Sequence, residues 1–229
     1  MRLVYNSFMQ VILTHEQADF DALASLLAVH LLDENAQPVL PLRINRNVRN
    51  FLNLYGSGFP FVESRDLPTE PIERVFLVDT QSLVTLKGVS RNTDVRVIDH
   101  HAGRQDLPAA WEKHLERVGA TTTILTDLLR EQGRAFEPLQ ATLLLLGIYE
   151  DTGSLTYATT TVRDVKAAAF LLEKGADLNI VAEYLNPALS STQRRLADRL
   201  LENARNLTIH GKQVFISSAV DMEINEEIS

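Results

Sequence analysis

The chain has 229 residues, 45% of them hydrophobic, no cysteine, and a formal net charge of −8. That length suits one large domain, or one domain and the start of another; the absence of sulfur ligands excludes disulfides and thiolate metal sites, and the acid surplus argues against non-specific polyanion binding by the bare chain. No apolar run reaches the roughly eighteen residues a membrane span needs, and MRLVYNSFMQVILTH reads as the approach to a first strand, without a signal-peptide cleavage site, so a cytoplasmic protein is expected.

In chain order, VILTH (11–15) is a short buried strand. ADFDALASLLAVHLLDE (18–34) has helical spacing, with Leu23, Leu26, Leu27 and Leu31 on one side. PVLPLRI (38–44) reads as the next strand and NRNVRNFLNLYG (45–56) as a helix closed by Gly56. RVFLVD (74–79) and VRVID (95–99) are strand-like, β-branched and apolar. Helices are predicted at 120–133, ending at Gly133, and at 137–153, very apolar and buried. Another is predicted at 160–175, with a Thr start, an Asp in its first turn and a Gly stop, and a shorter one at 178–186. This rhythm predicts an α/β fold of Rossmann-like type, a parallel sheet flanked by helices.

After Pro187 the texture changes. SSTQRRLADRLLENAR (190–205) carries a capping-box pattern, Ser190 with Gln193, and reads as a linker helix. NLTIHGKQVFISSAV (206–220) reads as two strands about a His-Gly-Lys turn. A lone hairpin is marginal in water. It is therefore expected either to begin a second domain or to pair with the edge of the main sheet. The expected division is a domain at 1–187, a linker helix at 188–205 and the start of a second domain at 206–229, whose EINEEIS end is a solvated tail.

The informative fact is where the acids and histidines fall. Three predicted strands end in them: VILT runs into His15, VFLV into Asp79, and VRVI into Asp99, His100 and His101. In an open parallel sheet, ligands bind outside the carboxyl ends of the strands, so residues distant in sequence converge there. The first loop adds Asp19 and Asp21, and the helix beginning near 137 delivers Asp151 as it ends. Any one of these acids alone is more often a cap or turn residue. Together they make a carboxylate and imidazole set without sulfur, suited to Mn²⁺, Mg²⁺ or Co²⁺. A pair of such ions roughly 3.5–4 Å apart clamps a phosphoryl group and activates water. His30, His114 and His210 fit no such pattern and read as surface or turn residues; Phe8, Phe51, Phe59 and Phe61 read as packing. No GxSxG, GxxxxGK[ST] or GxGxxG motif offers a rival chemistry.

Four blocks, THEQADFDALAS (14–25), VFLVDT (75–80), VIDHHAG (97–103) and GIYEDTGSLTYATT (147–160), resemble the motifs of the DHH phosphoesterase family in order and spacing. That family includes RecJ-like exonucleases, oligoribonucleases, cyclic-dinucleotide phosphodiesterases and family II pyrophosphatases. The resemblance implies two divalent cations, Mn²⁺ foremost. His15, Asp19 and Asp79 match the ligands of the first. Asp21, Asp79, His100 and Asp151 match those of the second, with Asp79 bridging. His101 matches a residue facing the phosphate, and Asp99 one that orients a ligand histidine. Arg104, Thr152, Gly153 and Thr160 are phosphate-contact candidates by position. The family's usual Asn-Pro-Asp-Gly-Asp is here Gln17-Ala18-Asp19-Phe20-Asp21. This form is similar to the DHH segment at the front of proteins in which CBS domains and a tRNA nucleotidyltransferase or poly(A) polymerase module follow. The second domain would then be a DHH-associated domain of which only the first hairpin is present. The implied activity is hydrolysis of short single-stranded RNA or DNA, or of nucleotides. The alternatives are a pyrophosphatase or exopolyphosphatase, or an RNA-holding module without hydrolysis.

Overall fold

The computed structural model describes residues 9–83, 86–185 and 191–219. They fall into two compact units, the first through Leu185 and the second from Asn186 onward. The first unit runs β1 (Met9–Leu13), α1 (Phe20–Leu32), β2 (Ala36–Leu40), α2 (Arg46–Tyr55), β3 (Val62–Glu63), β4 (Ile72–Val78) and β5 (Asp94–Asp99). It continues with β6 (Glu112–Leu115), α3 (Thr121–Glu131), α4 (Pro138–Thr152), α5 (Val162–Glu173) and α6 (Leu178–Leu185). The second holds α7 (Ser191–Glu202), β7 (Arg205–Ile209) and β8 (Lys212–Ile216).

The expected α/β architecture is what forms. All six strands of the main sheet are parallel, in the order β3-β2-β1-β4-β5-β6. The order reverses between β1 and β4, and a crevice opens at the carboxyl ends of the strands on either side of such a reversal. Register then places the chemistry. Leu13 pairs with Leu77 and Val78 with Ile98, so the chain leaves β1, β4 and β5 at one level.

Period-two alternation divides the strand residues between two faces. Ile12, Ala36 and Val78 turn toward the helices and pack with Leu23, Leu27, Leu125 and the wholly buried Leu143, Leu144, Leu145 and Leu146 of α4. Each such leucine contributes roughly 1.5–3 kcal/mol by leaving water. Val11, Leu13, Val75, Leu77, Val95 and Val97 face the other way; among the described residues Leu67, Leu83, Leu86, Val89 and Trp111 cover them from loops. In α4, Pro138 and a Glu137–Gln140 capping box start the helix and Gly153, at φ 55°, ends it. Gly147 lets α4 lie tight against its neighbours, for a Cβ there would stand 2.7 Å from Thr122 Oγ1 and 2.8 Å from Ala24 Cβ.

Two strands carry no sequence signature. β3 is two residues long, and β6 reads Glu-Lys-His-Leu. Both lie at sheet edges, where the polar residues and short length that protect an edge remove the apolar alternation. The strand expected at 38–44 ends at Leu40, just before Pro41, which has no N–H to give a ladder. Phe51 and Phe59 are buried and Phe61 packs on them, as expected of packing residues. Phe8, Ser190 of the expected capping box and the EINEEIS tail lie outside the described residues.

In the second unit, β7 and β8 pair antiparallel with Ile209 opposite Lys212. His210 and Gly211 between them have φ 48° and 76°, the positive pair that a two-residue type I′ turn requires. The hairpin forms its own two-stranded sheet rather than extending the main one. Among the described residues no helix is long and apolar enough to cross a membrane.

Candidate metal centre

β1, β4, β5, α1 and α4 each bring an acid or a histidine to the β1/β4 crevice. His15 lies two residues past β1, and Asp79 directly follows β4. Asp99 ends β5, with His100 and His101 next along the chain. Asp19 is the N-cap of α1, its carboxylate accepting from Ala22 N at 3.0 Å, and Asp21 sits in the first turn of that helix. Asp151 occupies the last turn of α4. A cleft of about 460 Å³ opens there, lined by His15, Asp19, Asp79, Thr80, Gln81, Ser82, Asp99, His101, Ala102, Arg104 and Asp151.

Asp79 is the hinge of the arrangement. Its Oδ2 is 3.3 Å from His15 Nε2, while its Oδ1 is 3.6 Å from His100 Nε2. Its two oxygens thus face two groups of donors. Ligand-capable atoms of His15, Asp19 and Asp79 lie within 4.8 Å of one another, and so do those of Asp21, His100 and Asp151. Asp79 holds this place at φ 54°, and Gln17 in the β1–α1 loop has φ 60°. Such backbone is costly for non-glycine residues and collects at functional sites.

The electrostatics are those of an acid cluster. Burial pushes the Asp21 carboxyl well above the usual carboxylate range, and the Asp79 and Asp151 charges push the same way. Burial likewise raises Asp19, and lifts Glu150 to about 8. The His15 ring, hydrogen-bonded to Asp79, is raised to about 9. Burial pulls the His100 pKa down, but the Asp151 and Asp79 carboxylates beside it win and hold it at about 9. His100 Nε2 lies 3.1 Å from Asp151 Oδ2 and 4.0 Å from Asp21 Oδ2, ion-pair distances without hydrogen-bond alignment. That leaves a buried ring nitrogen with no hydrogen-bond partner, aimed into carboxylate oxygens. An orphaned donor atom amid surplus negative charge fits hard divalent cations.

The remaining sequence candidates divide. His101 and Arg104 line the cleft. Thr152, Gly153 and Thr160 do not. The Thr152 hydroxyl is buried, donating to Ile148 O and accepting from Leu155 N, and Thr160 Oγ1 donates to Thr152 O. The Gly153 amide closes the α4 cap. These three shape the turn after Asp151, where Ser154 and Leu155 also take positive φ, and they offer no free donor to a phosphate. Asp99 also differs from expectation. It accepts from His101 Nδ1 at 2.7 Å, while the ring of His100 is oriented instead by Val118 O, 3.2 Å from Nδ1. The same Asp99 oxygen also accepts from His101 N, at 3.2 Å, so the carboxylate holds both the backbone and the ring of that residue.

Some contributors had no sequence signal. Gln81 donates to Asp99 Oδ2 at 2.6 Å and accepts from Arg104 N at 2.8 Å, tying the loops after β4 and β5 together. Glu150 accepts from Phe20 N and so links the end of α4 to the start of α1. Phe20 itself is wholly buried and meets Phe51 and Tyr184 edge-on, at 5.7 and 6.0 Å between centroids. A bulky residue between Asp19 and Asp21 therefore fills core and leaves the cleft clear.

A parallel sheet of this order with these donors at its switch point belongs to a recognised class. Residues 10–148 match the model described as the DHH family, N-terminal domain, and the chain belongs to that family. It is 37% identical over 217 residues to an A-adding tRNA nucleotidyltransferase of Geobacter sulfurreducens, a match covering 92% of this chain and 25% of that protein. It thus spans about a quarter of the length of the curated tRNA nucleotidyltransferases it matches. It is 26% identical over 225 residues to a manganese-dependent inorganic pyrophosphatase of Bacillus subtilis, covering 94% of this chain and 72% of that one. Among solved structures, an exopolyphosphatase-related protein from Bacteroides fragilis superposes with a TM-score of 0.66 at 19% identity, over 86% of this chain and 62% of that chain, a likeness of fold.

Proposed function

We propose that the chain binds two divalent cations, Mn²⁺ by preference, and hydrolyses phosphodiester bonds of short single-stranded nucleic acid or of nucleotides. The observation that carries the proposal is the split of the Asp79 carboxylate between two donor groups. His15, Asp19 and Asp79 would hold one cation; Asp21, His100, Asp151 and the other oxygen of Asp79 would hold the second. Bound there, the cations supply positive charge to the phosphoryl oxygens and ease the ionisation of attacking water.

The chain's own residues do the rest. The hydrogen bond that His101 donates to Asp99 raises the His101 pKa above its ordinary value and fixes Nδ1 as the nitrogen facing the carboxylate. Nε2 is then the nitrogen that carries a proton to the leaving oxygen, as a general acid. Arg104 lines the same cleft and supplies a fixed positive charge against a phosphate. Kinship with a protein named for acting on tRNA favours an oligonucleotide over pyrophosphate.

The test is hydrolysis by the chain with Mn²⁺ of short RNA and DNA oligonucleotides, phosphoadenosine phosphate and pyrophosphate in parallel. Mononucleotide release from the oligonucleotides, lost on adding chelator, is the expected result. Phosphate release from pyrophosphate alone would replace the substrate assignment. Binding of RNA and Mn²⁺ with no cleavage of anything would leave a holding module in place of an enzyme.

A further inference from the structure

The turn that leads from β6 into α3, residues 118–122, touches three of the ligand-bearing side chains. Val118 O accepts from His100 Nδ1. The amides of Thr121 and Thr122 each donate to one oxygen of Asp21, both at 2.8 Å. The Thr121 hydroxyl donates to Asp79 Oδ1 at 3.0 Å and accepts from the His100 amide at 3.3 Å. Thr121 is wholly buried, so no water can substitute.

The direction of the Thr121 hydrogen bonds is fixed by chemistry. A hydroxyl has one proton, and a backbone N–H can only donate. The His100 amide therefore takes a lone pair of Oγ1, and the single proton goes to Asp79. One oxygen of a carboxylate accepts twice, so this bond leaves Oδ1 its second lone pair on the His100 Nε2 side. Oδ2 stays on the His15 side. The turn is itself held rigid: Asp164, wholly buried, accepts from Gly119 N with both oxygens at 3.0 Å and from Thr123 Oγ1 at 2.6 Å.

We infer that Thr121 is a positioning residue of the metal centre, its buried hydroxyl locking the Asp79 carboxylate in the orientation that gives one oxygen to each cation position. The inference rests on the two-cation reading above. Residues that orient metal ligands typically alter metal affinity about 10–100-fold when mutated.

Mn²⁺ titration of the whole chain, followed by the electron paramagnetic resonance of free Mn²⁺, tests it. Thr121→Val keeps the volume and removes the hydroxyl; Thr121→Ser keeps the hydroxyl. The expected result is about a 10–100-fold weaker affinity in Thr121→Val, near-native affinity in Thr121→Ser, and both metal-free variants folded by thermal melt. Should the valine variant fail to fold, Thr121→Ala, which leaves space for relaxation, is titrated in its place and the same loss is expected. Unchanged Mn²⁺ affinity with only a lowered melting temperature overturns the positioning role and leaves the metal centre standing. A wild-type chain that binds no Mn²⁺ sinks the two-cation reading itself.

Discussion

His15 and Asp19 reach the cleft from the loop between β1 and α1, whereas Asp21 and His100 reach it from a helix and a strand end braced by buried amides and carbonyls. The His15 side chain is 32% exposed, and its other nitrogen donates to the carbonyl of its neighbour Glu16. Asp21 is wholly buried with both oxygens engaged, and His100 is 14% exposed. One half of the centre is open to solvent and to a phosphate; the other is set before anything binds. Preorganised ligands lose less freedom on binding, so under the proposed function the braced half should hold its cation more tightly.

The harshest way to break that contrast is Asp79→Asn, since this residue belongs to both halves. An amide has one oxygen where the carboxylate has two. Mn²⁺ affinity and Mn²⁺-dependent hydrolysis should both fall by more than the ~100-fold that marks the upper range for outer-shell changes. Retention of one ion at native affinity, measured by metal content after dialysis, would show that Asp79 serves one half only. Milder and more discriminating is the pair His100→Ala and His15→Ala. His100→Ala should abolish the tighter class of Mn²⁺ binding, whereas His15→Ala should leave one ion bound and lose the weaker class. Equal losses from the two variants would mean that the halves do not differ.

How much of this was legible in the sequence follows from the same contrast. The ligand-type residues announce themselves because strand ends in parallel sheets converge, and the motif blocks carry the acids and histidines. The braces do not. Val118 and Thr121 act through a carbonyl, an amide and a hydroxyl, groups that a sequence supplies everywhere, and ATTT reads only as a helix start. Gln81 is likewise one glutamine among several until the loops after β4 and β5 are seen side by side. The short polar edge strands β3 and β6 were invisible for the opposite reason, since good edge protection erases the strand pattern. Thr152 and Thr160 show the limit of position in a motif: it suggested a phosphate contact, and in this structure their hydroxyls donate to backbone carbonyls.

Proton linkage sharpens the contrast further. His15 and His100 are both raised from 6.5 to about 9, and burial raises Asp19, Asp21 and Glu150 in the same sense. A folded-state pKa above the unfolded one gives stability that is full below the unfolded value and is lost as pH climbs through the folded value. The metal-free protein should therefore melt lower at pH 9 than at pH 6.5. Mn²⁺ must displace these protons, so its affinity should rise over the same interval. Calorimetry in buffers of different ionisation enthalpy would register proton release on binding. A metal-free melting temperature that rises across this interval would contradict the charge arrangement.

The smallest effect belongs to the open half's rim. Arg104 donates to Asp106 from Nε at 3.0 Å and from Nη2 at 2.7 Å, and to Ser82 Oγ from Nη1 at 3.0 Å. Exposed pairs of this kind are screened by solvent and contribute little, so a phosphate can draw the guanidinium away at little cost. The loop does not depend on that side chain, because its anchor to Gln81 is the Arg104 backbone amide, which any residue but proline retains. Arg104→Ala should thus leave Mn²⁺ affinity and kcat near native and raise KM about tenfold, the loss expected of one charge-assisted hydrogen bond. Asp106→Ala should move KM the other way, by releasing the guanidinium from its competitor. If both variants leave KM untouched, Arg104 is a surface residue and the phosphate is gripped by the metal centre and His101 alone.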